Sequence, residues 1–305
     1  MAFTAKDVAT LRAKTNCGMM DCKKALTEAD GDMEKAAEIL REKGLAASVK
    51  KAGRIAAEGV VLAKVENGVG AVVEVNAETD FVAKNAMFQE FVNGVLDTII
   101  KENPADVEDL LTKKINDKYT VDEELKNNIL TIGENMKIRR FVRYEGGVTA
   151  YVHGGGRIGV LVQFTGDDAV INNPAFAEVG KDVAMQIAAL NPSYLNPESV
   201  PAEDLEKEKE ILLAQIANDP KNAKKPDAVK EKMVTGRINK FYELNTLTNQ
   251  AFVKDGNMSV KAYVDAEAKK LGGSVVIAGF TRFEKGEGLE KKEENFADEI
   301  AKMVK

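Results

Sequence analysis

Tryptophan is absent from the 305 residues, which include one histidine, two cysteines and seven prolines. Each scarcity closes off a class of chemistry. His153 has no second histidine to join it, and Cys17 and Cys22 form neither a CxxC redox pair nor a zinc-ligand spacing. No metal site is expected, and the thiols read as reduced, in a reducing compartment. No apolar run approaches the roughly 18 residues of a membrane span. The start, Met1-Ala2-Phe3-Thr4-Ala5-Lys6-Asp7, lacks the apolar centre of a signal peptide. A cytoplasmic protein without a membrane partner is therefore expected. Aromatic residues make up only 6%, so a phenylalanine outside a helical or strand stripe carries information. Positive charge is not in excess either. At a net charge of -6 the chain is poorly suited to neutralising phosphates, so no direct nucleic-acid partner is expected. The basic run at Lys50, Lys51 and Arg54 reads as a solvated helix face.

The sequence does contain ordinary globular material, 44% apolar and 30% charged. At about 150 residues per domain this is roughly two domains' worth of core. Residues 1–54 read as three short helices. Thr4 and Asp7 make a start resembling a capping box, a second helix runs from about Met19 to Asp30, and a third begins near Asp32 and stops at Gly44. The adjacent Met19 and Met20 are expected to split, one into the core and one outward.

The middle of the chain holds a repeat. Glu58 to Val65, the turn Asn67-Gly68 and Gly70 to Val75 read as a β-hairpin. From Glu145 the plan recurs, with a strand at Val148–Val152, a turn at His153–Gly156 and a strand at Gly159–Phe164. Each hairpin leads through a polar loop into a helix, marked by Phe88 and Phe91 in the first copy and by Phe176, Val179 and Val183 in the second. The connecting loop of the first copy is Glu78-Thr79-Asp80-Phe81-Val82. That of the second, Thr165-Gly166-Asp167-Asp168, has no large apolar residue, which weakens a purely architectural reason for Phe81.

Two amphipathic helices follow, with Leu205, Ile211, Leu212 and Ile216 on one and Val229, Met233, Ile238 and Phe241 on the other. The Pro220 to Pro226 turn between them makes an antiparallel hairpin. A strand at Ser274–Phe283 and a last helix with Phe296, Ile300 and Met303 complete the chain. The fold class expected is α+β: an N-terminal three-helix module, two related antiparallel-sheet/helix subdomains, an inserted antiparallel helical hairpin and a C-terminal helix. The boundaries are 1–54 for the first module and 55–144 for the first subdomain. The second subdomain takes 145–195 and 243–285, around the inserted hairpin 196–242, and 286–305 is the C-terminal module.

Gly154, Gly156 and Gly159 satisfy GxGxxG, but a strand follows them where a phosphate loop must open a helix. A glycine-rich hairpin turn is expected, and no nucleotide or other cofactor. His153-Gly154-Gly155-Gly156 resembles an esterase oxyanion loop, yet the chain contains no GxSxG nucleophile. These residues offer no covalent catalyst.

Longer motifs are more specific. Leu11-Arg12-Ala13-Lys14-Thr15-Asn16-Cys17-Gly18-Met19-Met20-Asp21-Cys22-Lys23-Lys24-Ala25-Leu26 resembles the N-terminal signature of the bacterial elongation factor Ts family. Glu74-Val75-Asn76-Ala77-Glu78-Thr79-Asp80-Phe81-Val82-Ala83-Lys84 is similar to its second signature. Ile132-Gly133-Glu134-Asn135, Arg139-Arg140, the His153 hairpin and Arg282-Phe283 through Gly286-Glu287-Gly288 follow in the family's order. The departures are Ala77, where Cys, Ser or Val is usual, and Ala251 and Lys254 on either side of Phe252-Val253.

The resemblance implies a guanine-nucleotide exchange factor for elongation factor Tu, without covalent chemistry of its own. It implies that Arg12, Met19, Met20, Lys23 and the last helix touch the GTPase domain. Thr79, Asp80, Phe81 and Val82 would press on its magnesium and phosphate region, and His153 and Val253 would contact another domain. The helical hairpin would serve self-association or brace the fold. A non-catalytic interaction scaffold is the alternative.

Overall fold

The computed structural model describes residues 3–15, 17–222 and 225–290. The expected C-terminal helix with Phe296, Ile300 and Met303 lies outside them. The chain begins with three helices, α1 (Ala5–Thr15), α2 (Met19–Glu28) and α3 (Met33–Lys51). Thr4 and Asp7 exchange bonds at the head of α1: the Thr4 amide and hydroxyl both donate to Asp7 Oδ2 at 2.7 Å. Asp32 caps α3 by accepting from the amides of Glu34 and Lys35. Val8, Leu11, Cys17, Cys22, Leu26, Ala36 and Leu40 close a small core. Both cysteines are free and buried there, and burial pushes the Cys17 thiol up to about 11.

Two expectations fail in this module. Helix α3 does not stop at Gly44 but continues to Lys51. Gly44 is buried inside the helix and faces the backbone of Lys126, where a Cβ would make only ordinary contact at 3.5 Å, so no backbone constraint ends the helix there. Nor do the methionines split: Met19 is 53% and Met20 62% exposed, because Cys22, Ala25 and Leu26 already fill the inner face of α2.

The body has two sheets. Strands β1 (Glu58–Glu66) and β2 (Val69–Ala77) form the first hairpin. Next come α4 (Asp80–Ala83), α5 (Ala86–Glu102), α6 (Val107–Thr112) and α7 (Val121–Ile132). Strand β3 (Met136–Glu145) then pairs antiparallel with β2. The second sheet repeats this order with β4 (Gly147–His153), β5 (Ile158–Gly166), α8 (Asp168–Ile171) and α9 (Phe176–Leu190).

The hairpin helices α10 (Ala202–Asn218) and α11 (Asp227–Asn245) interrupt the second copy. A small ribbon, β6 (Ala251–Phe252) with β7 (Asp255–Ser259), precedes α12 (Val260–Lys270). Strand β8 (Val275–Glu284) then pairs with β5. The orders β1-β2-β3 and β4-β5-β8 are equivalent. Both central strands carry a register shift, at Glu74/Val75 and at Gln163/Phe164.

Period-two alternation decides which face each residue serves. Along β2, Ala71, Val73 and Val75 join the core beneath α5, where Phe88, Val92, Val95, Leu96 and Ile99 are buried. Val72 points the other way and meets Val61, Leu161 and Phe283 between the sheets. Val160, Val162 and Phe164 of β5 pack instead with α9 and α12. A Cβ on Gly159 would come within 2.4 Å of Val61 Cγ1, and one on Gly70 within 2.5 Å of a Val148 methyl. These two strand glycines thus allow the sheets to close on each other.

In the inserted hairpin, Leu212 and Ile216 meet Val234 and Ile238. The expected stripe shifts here, since Ile211 and Val229 are exposed and Val234 takes a place in the seam.

Candidate functional site

Where β2 ends, the chain turns through Glu78 and Thr79 into the single turn of α4. Thr79 caps that turn, its hydroxyl oxygen accepting weakly from the Val82 amide at 3.4 Å. Successive residues on a helix lie about 100° apart. Burying Val82 and Ala83 in the core therefore turns Asp80 and Phe81 outward. Val82 is 6% exposed and anchors the turn from beneath, while the Phe81 ring is 79% exposed. Of the four loop residues expected to act together, Val82 is buried, Thr79 is half-buried, and only Asp80 and Phe81 are exposed. Asp80 pairs with Lys84 one turn on, at 2.8 Å, and that bond holds its carboxyl below the usual range.

The turn after α7 braces this loop. Gly133 ends α7 with φ 89°, a left-handed conformation that glycine adopts without a Cβ clash. Glu134 is thereby carried back to the loop. Its carboxylate accepts from the Thr79 amide at 3.0 Å and from the Thr79 hydroxyl at 2.8 Å. In return, Glu78 Oε1 accepts from the Asn135 amide at 2.6 Å and from Arg54 at 3.3 Å. Asn135 donates its side-chain amide to the Arg54 carbonyl.

Sequence periodicity does not reveal these braces, since Glu134 and Asn135 stand out only as part of a family motif. The partners lie 55 and 57 residues apart, beyond any local periodicity. The available signal was a glutamate directly after a helix-ending glycine.

A second polar centre lies beneath the same strand. Glu74 is 0% exposed and accepts from Arg139 Nη1 at 3.0 Å, Arg140 Nε at 2.6 Å, Asn76 at 3.1 Å and the Gly286 amide at 2.8 Å. Burial raises its pKa. The Gly286 amide, Asn76 and the two arginines overcome that effect and hold it below 4.5. Arg140 also lies over the Phe283 ring, 4.2 Å from its centroid. This centre ties the segment after β8 to the first sheet.

The remaining expected contact residues lie elsewhere. Arg12, Met19, Met20 and Lys23 are exposed on α1 and α2. His153 is exposed at the end of β4, where its Nδ1 is 2.9 Å from the Tyr151 hydroxyl. Val253, 54% exposed, tops the β6–β7 turn. That turn is held from below: the Val253 amide donates to buried Gln186 at 2.7 Å, and Lys254 reaches Asp182 at 2.6 Å. Phe252 stacks on Tyr263, with ring centroids 4.0 Å apart. The structure thus joins residues 79–82 in one loop and spreads the others over the N-terminal module and the second subdomain.

Among the described residues no cluster of three His, Cys, Asp or Glu could hold a metal ion, and no helix is long and apolar enough to cross a membrane.

A family model described as elongation factor TS matches residues 78–287. The chain is 51% identical over 306 residues to elongation factor Ts of Clostridium perfringens (strain SM101 / Type A), covering 99% of both chains. It is 50% identical over 309 residues to the elongation factor Ts of Trichlorobacter lovleyi, covering 99% of this chain and 98% of the relative. The Clostridium botulinum (strain Eklund 17B / Type B) elongation factor Ts is 48% identical over 307 residues, with 99% of each covered.

Proposed function

The chain belongs to the elongation factor Ts family, and from that premise we propose that it is a cytoplasmic guanine-nucleotide exchange factor for elongation factor Tu in translation elongation. Its action needs no covalent step. A GTPase holds GDP through backbone amides around the phosphates, a lysine and a bridging magnesium ion. A factor that binds the nucleotide-free form more tightly than the GDP form weakens GDP by the same free energy, because the two bindings are linked.

The observation that carries this reading is the Phe81 ring, exposed on a loop braced by Glu134 at Thr79 and by Asn135 at Glu78. In the proposed complex it enters a crevice between the elements that bear the partner's magnesium ligands, and Asp80 shapes the approach. Residues 1–54, through Arg12, Met19, Met20 and Lys23, face the GTPase domain, and His153 and Val253 face another domain. Burying one phenylalanine supplies roughly 1.5–3 kcal/mol. Since each tenfold in rate requires about 1.4 kcal/mol, Phe81 accounts for one to two decades. The wider surface supplies the rest.

The test is release of a fluorescent GDP analogue from elongation factor Tu at saturating factor. Phe81→Ala is expected to slow the stimulated rate about 10- to 100-fold while the complex still forms. An unchanged rate would remove the wedge. A passive scaffold would give no stimulation even from the unaltered chain.

A further inference from the structure

We infer that Glu134 is the positioning residue for Phe81. This deepens the exchange-factor reading and rests on it. Phe81 sits on a helix of only four residues, too short to be rigid alone. A side chain acting as a wedge transmits force only if its backbone does not recoil. Three attachments oppose recoil here. Val82 is buried from below. Glu78 is bonded to the amide of Asn135. Glu134 takes both the amide and the hydroxyl of Thr79, the residue that caps the helix. The last is the only one of the three in which a charged group from another element grips the loop at two points.

Glu134 also connects two surfaces. It follows α7, the helix on which α3 is docked. Arg41 of α3 pairs with Glu123 near the start of α7, and Lys51 Nζ donates to the Ile129 carbonyl near its end, at 3.2 Å. The N-terminal module is therefore fastened along the length of α7, and the Phe81 loop to the turn that ends it. Glu134 fixes the loop in that frame, so that seating the module on a partner also sets where the ring enters.

The test compares Glu134→Ala, Glu134→Gln, Phe81→Ala and the Glu134→Ala/Phe81→Ala double variant in stimulated GDP-analogue release from elongation factor Tu. Each is titrated to separate maximal rate from the concentration giving half effect. A hydrogen bond to an ionised acceptor is worth roughly tenfold or more in an equilibrium. Glu134→Ala is accordingly expected to lower the maximal rate about tenfold and move the half-effect concentration by less than about twofold. Glutamine, which can accept from the Thr79 amide and donate to its hydroxyl, recovers most of the rate. The double variant releases within about twofold of Phe81→Ala alone, because both changes act through one ring.

If Phe81→Ala is slow but Glu134→Ala keeps the full maximal rate, the positioning role is wrong and the wedge stands. Additive losses in the double variant also overturn it. A full rate with Phe81→Ala overturns the wedge reading itself. Should Glu134→Ala fail to fold, Thr79→Val against Thr79→Ser probes the same contact from the loop side, and equal maximal rates for the two reject it.

Discussion

In the first half of the body, β2 runs into a one-turn helix reading Asp80-Phe81-Val82-Ala83. In the second half, β5 runs into one reading Asp168-Ala169-Val170-Ile171. Both begin with aspartate, and both bury the valine at the third position. Each loop is also tied to the segment that precedes the sheet's last strand. Thr79 donates to Glu134 before β3, whereas Asp167 accepts from the amide and hydroxyl of Ser274 before β8, at 2.6 and 3.2 Å. What differs is the second helical position, Phe81 against Ala169, both exposed. The architecture is served by an alanine there, so the ring is an addition to the scaffold and not part of it. The central strands differ in the same way: buried Glu74 sits beside the register shift of β2, and Gln163, half-buried, beside that of β5.

Three measurements sharpen or break this contrast. The largest effect is expected from comparing Phe88→Ala with Phe81→Ala in chemical unfolding. Phe88 is fully buried beneath the first sheet, and its truncation should cost about 3–5 kcal/mol. Phe81→Ala should stay within about 0.5 kcal/mol of the parent, as an exposed substitution does. Equal losses would make Phe81 a core residue and end the distinction.

Next comes acid. The folded-state pKa of Glu74 lies below its ordinary 4.5, so its contribution is fully present above that value and is lost as pH falls through the lower one. Glu74→Gln leaves Arg139 and Arg140 facing a neutral group and should cost about 3 kcal/mol at neutral pH. The gap to the parent should close in acid, as followed by urea unfolding across a pH series. A gap independent of pH would mean that the carboxylate's charge is not what holds the first sheet to the segment after β8.

The smallest effect is expected from giving the second half its own ring. Ala169→Phe should change stability by less than about 0.5 kcal/mol and leave stimulated GDP release unaltered. A faster release would show that position, and not the surrounding brace, is sufficient.

How far the sequence reveals this molecule depends on the range of each interaction. The hairpins were legible because alternation and the Asn67-Gly68 and Gly154–Gly156 turns are local signals. The resemblance to a known family rested on contiguous motifs, and the loop carrying Phe81 was singled out by comparing the two copies. Strand β3 went unread because Arg139 and Arg140 are adjacent and interrupt its alternation; their partner, Glu74, is 65 and 66 residues away. Gly44 resembles a helix end because glycine is common there, but α3 runs through it and packs on α7, a contact that local sequence does not show. The outward turn of both methionines likewise depended on which residues of α2 filled its inner face. Glu134 lies within a family motif, but its grip on Thr79 is visible only in three dimensions.

The inserted helical hairpin has one more consequence. The strands of chain entering and leaving it are clasped side by side: the amides of Ser193 and Tyr194 donate to the Asn245 carbonyl, and those of Leu247 and Thr248 return bonds to Tyr194 and Leu195. The gateway is thus closed by backbone bonds, and Tyr194 ties it to the roots of both helices through Asp204 and the Phe241 ring. A hairpin shortened at its far end, with these roots kept, is therefore expected to leave the sheet that β8 completes on its present route.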